Sequence, residues 1–221
     1  MRWFAAKSGP RKLMNVFYGQ LSFTQMRILH SYFAGIFRDR SLQVDPGQWT
    51  IKFAGSRIIL PLTRERIWLD WETALSILGH EVEIKETYSS LIQSSQRPEL
   101  FIDIGTNYGT HSLLFLANNI ESISFEPNEA CHAYFKETCS LNHLQPDLQG
   151  VALGDKDGWT ELYFPERATW MGSTNISNKC TLESRYELIT RKVEQRTLDS
   201  FMGSFGNRRL LIKIDTEGNE Y

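Results

Sequence analysis

The run Leu100-Phe101-Ile102-Asp103-Ile104, followed at once by Gly105, restricts the fold more than any other stretch of the chain. Four of its five residues are large and apolar, and no polar position alternates with them. That is the pattern of a strand buried on both faces. Such a strand sits inside a parallel sheet covered by helices, so helices and further strands must follow it. They do. His111 to Asn119 reads as a helix and Ser122 to Phe125 as a second strand, ended by Glu126-Pro127. A helix from about Asn128 to Leu141 has Ala130, Tyr134 and Thr138 at helical spacing, and a third strand is expected at about Leu148 to Leu153. Leu210-Leu211-Ile212 reads as a strand lying beside the first. Alternating strands and helices imply right-handed crossovers, a parallel sheet and an α/β class.

Composition excludes several alternatives. With 41% hydrophobic and 23% charged residues over 221 positions, the chain is neither disordered nor fibrous. No run of about 18 apolar residues offers a membrane-spanning helix. Cys131, Cys139 and Cys180 show no CxxC spacing, which argues against a disulfide framework or zinc knuckle and fits a reducing, cytoplasmic setting. His132 and His143 have no metal-ligand partners at useful spacing, so no metal is expected. A net charge of −2 provides no global field for nucleic acid, which is an unlikely partner.

The charge is unevenly spread. The first forty residues hold seven basic side chains against Asp39 alone, which makes them +6 and the remainder −8. Leu29, Phe33, Ile36 and Phe37 form an amphipathic stripe there. It reads as a helix packing on the main domain, as a surface for anionic lipid or an acidic protein, or as a targeting segment. Trp49, Ile51 and Phe53 alternate with polar residues, Gly55-Ser56 breaks the run, and Ile58-Ile59-Leu60 resumes it, which reads as a hairpin. Thr63 is placed to cap a helix carrying Ile67, Trp71, Ala74, Leu75 and Leu78. Glu81 to about Gln96 reads as another helix, with Ile84, Tyr88, Leu91 and Ile92 on one face. Residues 1–80 are thus an α+β N-terminal extension, and 81–221 a ligand-binding domain.

The turn after the first strand points to a ligand class. A nicotinamide fingerprint needs glycines at 105, 107 and 110, whereas this chain has Gly105, Asn107 and Thr110, with its second glycine at Gly109. The wider turn does not suit a diphosphate. The strand carboxylate Asp103 repels phosphate and suits a cationic amino group. Glu126, at the end of the second strand, has two oxygens that can accept both hydroxyls of a ribose. A ribose plus a cationic amino acid without phosphate describes S-adenosylmethionine. Val151, Ala152 and Leu153 are then placed to flank its adenine, and a side chain at position 105 would stand in the ligand's path. Taken one at a time, Gly105 reads equally as a turn glycine and Glu126 as a solvated strand-end acid.

The ordered segments FIDIGTNYG (101–109), FEPNEA (125–130), NHL (142–144), ALGDKDG (152–158), GSTNIS (172–177), RTLDSF (196–201) and IKIDTEGNEY (212–221) resemble the FkbM family of S-adenosylmethionine-dependent methyltransferases. The resemblance implies a class I, Rossmann-like methyltransferase fold acting on hydroxyl oxygens of sugars, lipids or secondary metabolites. It assigns the cofactor to Asp103, Gly105, Thr106, Asn107 and Gly109, and to Glu126 with Pro127. Thr106 stands where the family's GANxG has alanine. The family's sheet continues past the strand at 210–214, so the chain is expected to be cut short at its C-terminus, as an incomplete gene product or a shortened relative, leaving a sheet edge open to self-association.

For catalysis, Lys213 and Asp215 share one face of an apolar strand, an expensive arrangement that points to a site. An alcohol needs a base to take its proton. Asp215 is the first candidate, Glu217 the second, and Lys213 a positioning charge; a purely structural Lys213–Asp215 pair is the competing reading. His111 reads as a helix-terminal residue. The expected partner is a small-molecule or glycan acceptor. A non-catalytic cofactor-binding or assembly module and a nucleic-acid methyltransferase are the alternatives.

Overall fold

The computed structural model describes residues 7, 9, 10, 13, 16, 17, 20–37, 45, 47–63, 66, 69, 70, 73, 74, 77, 79–166 and 168–218. Contacts divide the chain into two compact units, residues 1–97 with 140–144, and residues 98–139 with 145–221.

The first unit holds a helix α1 (Phe23–Phe37), a hairpin of β1 (Gly47–Phe53) and β2 (Ser56–Leu62), and a helix α2 (Val82–Gln93). The side chains of Phe33, Ile36 and Phe37 on the expected stripe lie outside the described residues, as do Ile67, Trp71, Leu75 and Leu78. Among the described residues no helix is long and apolar enough to cross a membrane. In the hairpin, Trp49 faces Leu60 and Ile51 faces Ile58, all buried, so period-two alternation sets the register. The two-residue turn Ala54-Gly55 has positive φ at both positions, which matches the twist of the flanking strands. Asn142 reproduces a strand pairing with its side chain, accepting from the Ile59 N–H and donating to the Ile59 carbonyl, both at 2.7 Å.

The Thr63 hydroxyl donates to buried Asp70, which also takes the Thr63 N–H at 2.6 Å, and most of the helix that Thr63 is expected to cap lies outside the described residues. One expectation is corrected here. Helix α2 buries Val82, Lys85, Tyr88 and Ile92 and leaves Ile84 exposed. Its register is set by Lys85, which buries its stem and spends its ammonium on the His80 carbonyl.

The second unit is built on a parallel sheet of order β5-β4-β3-β9, from β3 (Leu100–Ile104), β4 (Glu121–Phe125), β5 (Asp147–Gln149) and β9 (Leu210–Ile214). Every residue of β3 is buried, as its unbroken apolar run requires. Helices α3 (Thr110–Leu116) and α4 (Glu129–Leu141) are the crossovers. Cys131, Tyr134, Phe135, Thr138 and Cys139 form the buried face of α4, and Ala130 is exposed, contrary to the expected face. Leu100, Ile102, Ile104, Ile123, Phe125 and Phe205 make one core cluster.

The expected strand 148–153 is two strands in two sheets. β5 ends at Gln149, and β6 (Ala152–Leu153) joins a second sheet, β6-β8-β7, with β7 (Gly158–Pro165) and β8 (Leu188–Arg196) antiparallel. A helix α5 (Ile176–Glu183) lies between β7 and β8, and a short α6 (Met202–Phe205) precedes β9. In the first sheet β9 is the edge, and Leu210, Ile212 and Ile214 on its alternate positions are 37–49% exposed.

The junction between β3 and β9 explains Gly105. A Cβ there would lie 1.9 Å from the Asp215 carbonyl oxygen, while the Asp215 N–H donates to the Ile104 carbonyl at 3.0 Å. The glycine is required by this close approach of backbone and by its φ of +74°, a reason that needs no ligand. Gly105→Ala should therefore lower stability in the absence of any ligand, by about 2–4 kcal/mol, through left-handed strain and a forced shift of the strand ends. Urea unfolding of the two proteins checks this; equal midpoints with equal slopes would refute the packing account.

Candidate functional site

The turn after β3 is held by its own backbone and by the neighbouring strand. The N–H groups of Gly105 and Thr106 both donate to the Phe125 carbonyl at 3.0 Å, and the Gly109 N–H donates to the Thr106 carbonyl at 2.8 Å. Gly105, Asn107 and Gly109 all have positive φ. Asn is among the residues that tolerate this region. Gly109 starts α3, and a Cβ on it would lie 2.0 Å from the Phe135 ring of α4, so this glycine permits the close packing of two helices.

Beneath the turn lies a buried polar network. Asp103 is fully buried, and its Oδ2 accepts the Thr106 hydroxyl at 2.5 Å, the Ser112 hydroxyl at 2.7 Å and the Ser112 N–H at 3.2 Å. Since both hydroxyl protons go to Asp103, the 2.8 Å contact between Ser124 and Ser112 has Ser124 as its donor. The hydroxyl of Thr106 is thus what this chain adds to its glycine turn: it ties the turn to the strand acid. The other oxygen, Oδ1, faces the Lys213 ammonium at 3.3 Å across the register pair Asp103–Lys213. Burial pushes the Asp103 pKa up, but Lys213, His111 and the two hydroxyls outweigh it and hold the carboxyl below its usual range. Lys213, 14% exposed, also lies 3.5 Å from Asp215 Oδ2 and donates to the Gly105 carbonyl at 3.1 Å. Burial lowers its pKa, and the two aspartates more than reverse that.

Glu126 stands opposite, at the end of β4. It is 8% exposed, with Oε2 accepting the Asn107 N–H and Oε1 the Asn128 N–H, both at 2.8 Å. Burial is the largest influence, and it carries the pKa from the ordinary 4.5 to about 7 against the pull of the two N–H groups. Each oxygen keeps a further lone pair. Pro127 is half-buried beside it, and the Cys131 thiol donates to Asn107 Oδ1 at 3.2 Å.

The remaining expected residues fall into two places. Val151 and Leu153 pack against the core of the parallel sheet, while Ala152 belongs to the cluster of the second sheet with Leu162, Phe164 and Val193. Asp215, with a 57% exposed side chain, and Glu217 follow β9 at the same end of the sheet as the glycine turn. Glu217 has φ +52° and Gly218 φ +97°, so the chain turns sharply there.

Sequence reasoning missed the side chains that fix this second turn. The Ser173 hydroxyl donates to the Glu217 carbonyl at 2.7 Å, Asn175 Nδ2 to the Gly218 carbonyl at 2.7 Å, and Asn178 Nδ2 to the Glu217 carbonyl. Asn175 also caps α5, accepting from the Ser177 N–H. The signal was present in the GSTNIS segment, where small polar residues cluster without helical or strand periodicity. Among the described residues no group of three or more His, Cys, Asp or Glu is placed to hold a metal ion.

Residues 103–221, more than half of the chain, match the family model described as the methyltransferase FkbM domain. The chain belongs to the FkbM methyltransferase family. No curated protein and no solved structure matches it. The family assignment makes the chain a methyltransferase.

The buried acid has a consequence for stability. Because the folded pKa of Glu126 lies above 4.5, the native state binds the proton more tightly than the unfolded chain. Its contribution is fully present below pH 4.5 and is lost as pH rises through about 7. Glu126→Gln should remove this slope, so the stability difference between variant and parent should change by on the order of 3 kcal/mol from pH 4.5 to 7.5. Chemical unfolding across that range measures it, and parallel curves would refute the assignment.

Proposed function

We propose that this FkbM-family chain is an S-adenosylmethionine-dependent O-methyltransferase of the class I fold, acting on a hydroxyl of a sugar, lipid or secondary metabolite. The carrying observation is the pairing of a left-handed glycine turn with a buried acid, held by backbone N–H groups, at the end of the next strand, joined by the Asn107 N–H to Glu126 bond. The residues fit the cofactor. Glu126 retains one lone pair on each oxygen for the two ribose hydroxyls, while backbone N–H groups already fix its orientation. Gly105, Thr106, Asn107 and Gly109 shape the wall along which the amino-acid part runs. Val151, half-buried on the parallel-sheet core, lines the adenine side, whereas Ala152 is spent in the core of the second sheet. Asp103 is fully enclosed, and its part is to set the turn and to hold Lys213.

When bound, S-adenosylmethionine supplies an electrophilic methyl group on a sulfonium. Asp215 would serve as the base that accepts the proton of the acceptor hydroxyl. Lys213 orients Asp215 from its place between two carboxylates, and Glu217 is the second candidate base. The open edge of β9, with its exposed Leu210, Ile212 and Ile214, favours pairing with a further strand, either of a second copy or of another segment.

The cofactor reading is tested by calorimetry. Hydroxyl donors favour the ionised carboxylate, so binding S-adenosylmethionine at pH 7 should release part of a proton, seen as a heat that varies with the ionisation enthalpy of the buffer. Affinity should fall as pH drops below about 7, and Glu126→Ala should bind at least ~10-fold more weakly. Equal affinity in parent and variant would rule out Glu126 as the ribose acid.

The base is tested with methyl-tritiated S-adenosylmethionine and a panel of sugars, lipids and aromatic alcohols. Asp215→Asn should leave cofactor affinity unchanged and lower transfer by ~10²–10⁴. Transfer within about threefold of the parent would move the role to Glu217.

A further inference from the structure

Thr169, in the short helical turn Thr169–Met171 after β7, touches both walls of the candidate cofactor site. Its hydroxyl bonds the Tyr108 hydroxyl, and its carbonyl accepts from Asn128 Nδ2 at 3.4 Å. Tyr108 belongs to the glycine turn, and Asn128 is the residue whose N–H holds Glu126 Oε1. Four residues further on, Ser173 donates to the Glu217 carbonyl at 2.7 Å, and Asn175 then reaches the Gly218 carbonyl. Ser173 is pinned between these anchors by a two-way backbone pairing with Tyr163, at 2.9 and 3.0 Å. A Cβ on Gly218 would lie 2.5 Å from Asn178, so the second anchor is tightly fitted as well.

We infer that residues 169–178 form a strap that carries cofactor occupancy to the turn after β9, with Thr169 and Ser173 as its positioning residues. The inference rests on the cofactor reading above, because a ligand seated on the glycine turn and Glu126 fixes the two residues that hold Thr169. Ordering one end of a pinned segment lowers the freedom of its other end, and the Asp215–Gly218 turn becomes better defined when the site is filled. A second route runs along β3 and β9 through the Asp215 N–H to Ile104 bond, and it ends at Asp215. The strap instead governs Glu217 and Gly218, whose carbonyls it holds.

The probe is S-adenosylhomocysteine, with amide hydrogen exchange read by NMR at Glu217 and Gly218. In the parent, saturating probe should slow exchange there by about fivefold or more, as expected for a turn whose local opening is suppressed. Thr169→Val, which keeps the side-chain shape and removes the hydroxyl, should bind the probe within about threefold of the parent yet slow exchange less than about twofold. Thr169→Ser should restore the response. Ser173→Ala should abolish it from the other anchor, again with binding retained. Equal slowing in Thr169→Val and parent, or binding with no change at these two amides in the parent, overturns the strap. Absence of any probe binding to the parent, by calorimetry and by thermal shift, overturns the cofactor reading first and the strap with it.

Discussion

The ion pair between Asp103 and Lys213 joins β3 to the edge strand β9 of the parallel sheet, across directly paired residues. A carboxylate with no solvent contact would be prohibitive alone, and an ammonium enclosed between strands would be nearly so. Each makes the other tolerable. The remaining valences are used as well: two hydroxyls and an N–H occupy the second oxygen of Asp103, while Lys213 adds the Gly105 carbonyl and Asp215. The pair therefore fixes the turn after β3 and the start of the turn after β9 at once. Breaking either member would leave an uncompensated charge where both turns begin.

Glu126 is the opposite solution to the same problem. It is as enclosed as a charged residue usually becomes, yet its nearest supports are two backbone N–H groups rather than a cation, and Asp103 adds like-charge repulsion. Burial wins, and the group titrates near neutrality instead of far below it. Two carboxylates at neighbouring strands of one sheet thus differ in character because Lys213 faces Asp103 directly, at 3.3 Å, and is only the last of the influences on Glu126. Asp103 organises the protein; Glu126 keeps a lone pair on each oxygen.

The parallel sheet and its glycine turn were legible because their signals are local. An unbroken apolar run from Leu100 to Ile104 admits few other readings, and Gly105 and Gly109 mark close approaches that no other residue allows. What failed was decided at a distance. The stretch 148–153 looks like one strand, but Gly150 and Val151 interrupt it, and Ala152–Leu153 pairs with Gln195–Arg196, some forty residues on. On α2 the apolar count favoured Ile84, whereas the helix turned to bury the stem of Lys85. The hydroxyl network on Asp103 was unreadable for a related reason, and the Ser173–Asn178 anchors showed only as a cluster of small polar residues: serine, threonine and asparagine carry no periodic signal, and their value depends on which carbonyl or carboxylate the fold brings near.

The same network bears on how the proposed base would work. The proposed base is the carboxylate that the Lys213 ammonium faces at 3.5 Å. Its usefulness lies in being aimed. Lys213 holds one oxygen of Asp215 while the rest of the side chain faces water, and the β9 turn is clamped from Ser173, Asn175 and Asn178. With S-adenosylmethionine bound, Asp215 would be held where it could accept the proton of the acceptor hydroxyl. Rate would then come from holding the acceptor and Asp215 in line. On that proposal the three polar side chains that hold the Glu217 and Gly218 carbonyls would serve the reaction by fixing the turn that follows Asp215.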